Sequence, residues 1–240
     1  MLRLSISVAG RWVGLLILAA AALPSTAGAQ IKDKQVFAGT NLEVGWDAID
    51  RRKSMRWEGD GWIGNDTDKF RWKTEGELER GTLVEAELQF LYSRSINQFF
   101  DALVGLRYDF APRGATFAVI GVQGLAPQWF EVGAALFVDH AGHVSARLEV
   151  ERDILITQRL ILKPFVELNF AADEVARRSI GPGLTELETG IQLRYEIRRD
   201  LAPFVEFRYS RLAGRTSDLA RAEGEKVQDV SVILGLKVSF

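Results

Sequence analysis

The chain contains no cysteine, which excludes disulfides and thiolate metal sites and leaves packing and hydrogen bonds to hold an exported protein together. Methionine and histidine are almost as scarce, with two of each, so soft thioether and imidazole ligands are few. Beyond the amino-terminal region no apolar run reaches the roughly 18 residues of a membrane-crossing helix. A transmembrane β-barrel stays open, because each of its segments carries a much weaker hydrophobic signal. The formal charge of −2 is a mild acidity that argues against a nucleic-acid partner.

Arg3 and Arg11 flank or precede the apolar stretch Val13 to Leu23, which is followed by Pro24 and an Ala27-x-Ala29 pattern. This is the layout of a secretory signal peptide over residues 1–29, with residues 30–240 expected to form one barrel domain.

In those residues, alternation by twos replaces any sustained helical stripe. In "LETGIQLRYEIR", Leu187, Thr189, Ile191, Leu193, Tyr195 and Ile197 share one face, and Glu188, Gln192, Arg194, Glu196 and Arg198 the other. Only an extended strand separates them so cleanly. About twelve such segments occur, starting near Val36, Met55, Lys69, Leu83, Phe99, Ala115, Gln128, Val144, Gln158, Leu184, Ala202 and Val227. The expected fold is all-β: a closed, antiparallel, up-and-down transmembrane barrel of about twelve strands. Short connections should alternate with longer ones, and the two longest, "AADEVARRSIGPG" and "AGRTSDLARAEGEK", fall in the same set, expected on the outer side. Pro164 lies inside a strand and cannot donate a ladder hydrogen bond, so a local bulge is expected there.

The polar faces carry Glu75, Glu77, Glu85, Glu87, Arg107, Asp109, Glu131, Arg147, Glu149, Lys163, Glu167, Glu188, Arg194, Glu196, Arg198, Glu206 and Arg208. Turned to lipid, each basic residue would cost about 2 to 4 kcal/mol near the midplane. These faces must line the lumen, leaving Trp57, Trp72, Trp129, Tyr92, Phe110, Tyr195 and Tyr209 to form interfacial girdles in outer-membrane lipid. The final run "SVILGLKVSF" is then the last strand, closing on the first. Two readings of the charges stand: salt-bridged filling of a narrow lumen, or a path that attracts cations.

Five long stretches, "DGWIGNDTDKFRWKTEGE", "AELQFLYSRSINQFFDALVGLRYDF", "VIGVQGLAPQWFEVGAALFV", "DILITQRLILKPFVELNF" and "GPGLTELETGIQLRYEIRRDLAPFVEFRYSR", together resemble the copper resistance protein B family of bacterial outer-membrane proteins. The resemblance spans about Met55 to Phe240. It implies an outer-membrane barrel serving copper tolerance, with copper ions as ligand and a periplasmic copper-binding protein as partner; the barrel is expected to be a monomer. Many members carry a Met- and His-rich segment ahead of the barrel, where this chain has only Gln30 to about Gln35, and many have histidine at the position of Tyr108.

For copper chemistry the residues themselves offer His140 and His143, in "DHAGHV" beside Asp139, as a candidate Cu(II) contact. A solvated turn is the plainer reading of the same pair. Nothing resembles a Ser-His-Asp order or a G-x-S-x-G elbow, so no enzyme is expected. The alternative to a copper role is a narrow non-specific channel or a structural barrel.

Overall fold

Alternating side chains meet two different surroundings only from an extended backbone, and β-branched and aromatic residues favour that conformation. The computed structural model describes residues 36–49 and 54–240, and the expected signal sequence lies outside them. Its strands are β1 (Phe37–Asp47), β2 (Ser54–Gly64), β3 (Asp68–Glu79), β4 (Thr82–Ser95), β5 (Phe100–Ala111) and β6 (Ala115–Ala126). There follow β7 (Phe130–Asp139), β8 (Val144–Glu151, resuming at Ile154–Leu155), β9 (Leu160–Ala171), β10 (Gly183–Tyr195), β11 (Leu201–Leu212) and β12 (Gln228–Ser239). One α-helix, α1 (Gly214–Glu223), stands in the last long connection. All twelve strands begin within two residues of the positions expected from alternation.

Each strand pairs antiparallel with its chain neighbours, and β1 pairs with β12 from Asn41–Ser239 to Asp47–Ile233. At the seam the Thr40 N–H donates to the Phe240 carbonyl at 3.0 Å, and the Phe240 N–H donates back to Thr40 at 2.8 Å. The ring is closed. Closure matters because lipid offers no hydrogen-bond partner to an open edge.

The bulge expected at Pro164 is absent. Register between β9 and β10 runs unbroken through Lys163–Gln192, Pro164–Ile191 and Phe165–Gly190. Instead β8 is interrupted at Arg152 and Asp153, with the same register resuming at Ile154. The Arg152 N–H donates to the Pro164 carbonyl at 3.2 Å, and Pro164 has no N–H to return. The missing donor thus opens a gap in the partner strand without shifting it. Register shifts do occur near Glu77, Ala86 and Asn169, towards the rim that carries the longer loops.

The outward face is a continuous apolar band, with Phe90, Val104, Leu106, Ile120, Ile191, Phe207 and Leu234 all exposed. Trp129, Tyr92, Tyr195 and Phe240 stand exposed towards the short-turn rim, and Trp46 and Phe110 towards the other. Trp57 departs from the expected girdle. Only 6% exposed, it lies against Gly76 and donates its indole N–H to Thr74 Oγ1 at 3.3 Å. A Cβ on Gly76 would sit 2.3 Å from its ring, so glycine leaves the shelf on which the indole lies flat. Trp72 covers Gly61 in the same way.

The seam gives a direct test. Asn41 and Ser239 face each other at a non-hydrogen-bonded position, where Cα atoms approach to about 4.5 Å, within disulfide range. The Asn41→Cys/Ser239→Cys protein, otherwise free of cysteine, is expected to oxidise to an intramolecular disulfide that changes the mobility of the boiled chain on a non-reducing gel. An uncross-linked double variant would contradict the seam.

Candidate functional site: a charged lumen

Pairing puts carboxylates in register across neighbouring strands. Glu43, Glu58, Glu75, Glu87 and Asp109 stand directly opposite one another on β1 to β5. Glu149, Glu167 and Glu188 do the same on β8 to β10. Like charges directly opposite are destabilising, so these two arcs demand cations between them.

Arg147 on β8 is the chief of these. The residue is only 6% exposed, and its guanidinium crosses the lumen to Glu75 at 2.9 Å and Glu87 at 3.1 Å, and also meets Glu167 at 3.2 Å. It therefore ties one wall of the barrel to the other. Glu87 takes a second guanidinium, that of Arg107, at 2.6 Å, and Arg107 bonds Asp109 at 2.6 Å. Elsewhere Arg208 joins Glu206 at 2.7 Å and Glu188 at 2.8 Å, Arg56 meets Glu77 at 2.7 Å, and Arg194 binds Asp153. Lys237 with Glu43 at 2.9 Å, Lys163 with Glu151 at 3.1 Å and Lys73 with Glu149 at 3.5 Å add to the wall, as do Lys69 and Arg71 with Asp101 at 3.4 and 3.6 Å.

The charges divide unequally along the axis. Nearer the long-loop rim the lining holds nine glutamates against three arginines, Arg56, Arg147 and Arg208. Glu58, Glu85 and Glu186 belong to this group. Nearer the short turns a chamber of about 550 Å³ adds Arg71, Lys73, Lys163, Arg194 and Lys237 to its walls. Oxygen-rich surroundings of one sign concentrate cations.

The long-loop mouth is covered. In the connection 172–182 a short bridge pairs Val175 with Ile180, and Arg178 reaches from it to the carboxylate of Asp109, over the ring of Phe117. The Gly181 N–H donates to Thr216 Oγ1 of α1 at 2.9 Å, and Ser179 Oγ donates to Glu223 at 2.8 Å. Loop and helix so form one lid.

Of the charged residues expected to line the lumen, Glu75, Glu77, Glu85, Glu87, Arg107, Asp109, Glu149, Glu167, Glu188, Arg194, Glu206 and Arg208 lie on the inward face. Glu196 is half-buried at the end of β10, where its N–H donates to the Arg159 carbonyl at 2.8 Å, and Arg198 does not line the lumen. The β10–β11 ladder ends at Arg194–Phe204, and beyond it the chain turns, so Arg198 is 72% exposed and pairs with Asp200. Alternation in the sequence simply outlasts the strand. Sequence reasoning missed Glu43, Glu58 and Glu186, and it missed that part of the inward face is apolar. Leu91, Leu103, Phe117, Val119 and Phe137 form a buried cluster there, with Arg107 stacked 4.9 Å from the centre of the Phe137 ring.

His140 and His143 occupy a four-residue turn at the long-loop rim, His140 exposed and His143 half-buried. Asp139 Oδ1 already accepts the N–H groups of Ala141 and His143, at 2.8 and 3.0 Å. Among the described residues no group of three or more His, Cys, Asp or Glu side chains is arranged to hold a metal ion.

A closed ring of twelve strands, apolar outside and ionised within, defines an outer-membrane β-barrel. Solved structures agree on the fold: a NanC porin (TM-score 0.55, 12% identity, 83% of this chain and 98% of that one) and a KdgM porin (0.50, 10%, 84% and 99%). The family model described as copper resistance protein B precursor (CopB) matches residues 36–240. The chain is 40% identical over 199 residues to copper resistance protein B of Escherichia coli, covering 82% of this chain and 67% of that protein. It is 37% identical over 225 residues to a copper resistance protein B homolog of Pseudomonas syringae pv. tomato, covering 92% and 76%. The chain belongs to the copper resistance protein B family.

Arg147 offers a test of the cross-lumen tie. Removing one partner of a buried ion pair strands the other charge, at a cost of about 3 kcal/mol. Arg147→Met is expected to lower the heat-unfolding midpoint clearly, and Glu87→Leu added to it to recover part of the loss. Unchanged unfolding in the single variant would show that the tie contributes nothing.

Proposed function

We propose that this barrel contributes to copper tolerance by letting copper cations pass through its lumen. The observation that carries the reading is the pair of carboxylate arcs on β1–β5 and β8–β10, with an excess of glutamate over arginine beneath the lid. Rings of Asp and Glu favour cations in pores.

The ligand chemistry favours passage over storage. Both histidines lie in the rim turn, and Met55 pairs with Trp46 on the outward face, so among the described residues the lumen offers copper carboxylate oxygens and no thioether or imidazole. Such sites attract without holding tightly, as conduction requires. His140 and His143 give an arriving Cu(II) at most a two-imidazole contact. On this reading the barrel works as a monomer, without catalysis, and a periplasmic copper-binding protein meets the ion at the short-turn mouth. Arg178 on Asp109 places a cationic side chain at the long-loop end of the route.

Planar-bilayer recordings under a salt gradient test the reading together with copper sensitivity of a deletion strain. The wild-type barrel is expected to be cation-selective and to restore tolerance. Glu58→Gln/Glu186→Gln/Glu188→Gln should lose most of that selectivity and the tolerance, Arg178→Ala should conduct more, and His140→Ala/His143→Ala should still complement. Conductance indifferent to the glutamates, with full complementation by the triple variant, would favour the copper-independent channel instead.

A further inference from the structure

Among the described residues, one arginine on the outward face, Arg152, has no carboxylate partner. Arg152 stands opposite Pro164 on one side and, by the β7–β8 register, opposite Phe130 on the other. Ile191, opposite Pro164 on the next strand, and Val150, two residues before Arg152 on the same face, are exposed to the outside, so Arg152 shares the lipid-facing surface. Its guanidinium carbon lies 5.1 Å from the centre of the Phe130 ring, and its Nε is buried without a hydrogen-bond acceptor.

The contrast with the same rim is instructive. Arg94, also outward-facing near the short turns, lies 3.9 Å from Asp68, which the Tyr92 hydroxyl also contacts. There the protein supplies the counter-charge. At Arg152 it supplies an aromatic wall instead: Phe130 beside it and Trp129, 72% exposed, one residue before. Gln128 and Trp129 both adopt positive φ, 63° and 65°, a conformation costly for such residues that persists only where the surroundings impose it. Aromatic side chains settle at headgroup level, so Arg152 sits where a membrane phosphate would be.

We infer that Arg152, stacked on Phe130 and flanked by Trp129, is a binding site for the phosphate of a glycerophospholipid in the leaflet at the short-turn rim. A guanidinium is suited to phosphate oxygens, its planar face is already held by the ring, and the acyl chains would run along the apolar wall above. The inference depends only on the barrel fold and not on copper passage.

Native mass spectrometry of the full barrel in detergent, titrated with phosphatidylglycerol, tests it. Arg152→Met is expected to bind the lipid about fivefold more weakly, the effect of one basic residue at an anionic surface. Arg152→Lys should keep most of the affinity, Trp129→Ala should lower it, and Arg211→Met, at the opposite rim, should leave it unchanged. Inorganic phosphate in excess should not displace the lipid. Retained heat-modifiable gel mobility establishes that each variant is folded, and should Arg152→Met fail that check, Trp129→Ala and Arg152→Lys decide the matter. Equal lipid affinity in wild type and folded Arg152→Met, unchanged affinity in Trp129→Ala, or displacement by free phosphate, would overturn the site.

Discussion

Everything in this molecule depends on backbone hydrogen bonding that closes on itself. In hydrocarbon an unpaired N–H or C=O has nowhere to turn, and the Thr40–Phe240 exchange at the seam removes the last open edge. Closure in turn gives alternation its meaning. Once the sheet is a cylinder, successive side chains face lipid or lumen, and a strand that mixed them would expose ionised groups to hydrocarbon.

The lumen follows from that constraint. Cross-strand register stacks glutamates opposite glutamates along two arcs, and the repulsion is relieved by arginines long enough to span the interior. Arg147 reaches from β8 to β3 and β4, so part of the filling is also a brace. What the arginines do not offset is the excess of glutamate below the lid. The bridges hold the shape of the interior, and the surplus of glutamate beneath the lid is the feature on which the proposed cation path rests.

The strands were legible because a period of two needs no tertiary information, and Leu187 to Tyr195 could hardly be anything else. Three features were not. The fate of Arg198 depends on where the ladder ends, which alternation does not encode. The buried cluster of Leu91, Phe117 and Phe137 lies on the face assumed to be polar, because a lumen this narrow can be packed as well as wetted. The lid contact of Arg178 with Asp109 joins residues far apart in the chain, and no local pattern foretells it. The bulge expected at Pro164 did not form; the effect of the proline appears instead on the partner strand, since the lost hydrogen bond belongs to both.

The central claim is that side chains two apart share an environment, wet and ionised inside, apolar outside. Single cysteines placed in turn at residues 187 to 194 of β10, with the barrel in lipid vesicles, can be treated with a small charged thiol reagent. The account requires labelling at 188, 192 and 194 and protection at 187, 191 and 193. Uniform labelling, or the opposite phase, would contradict it.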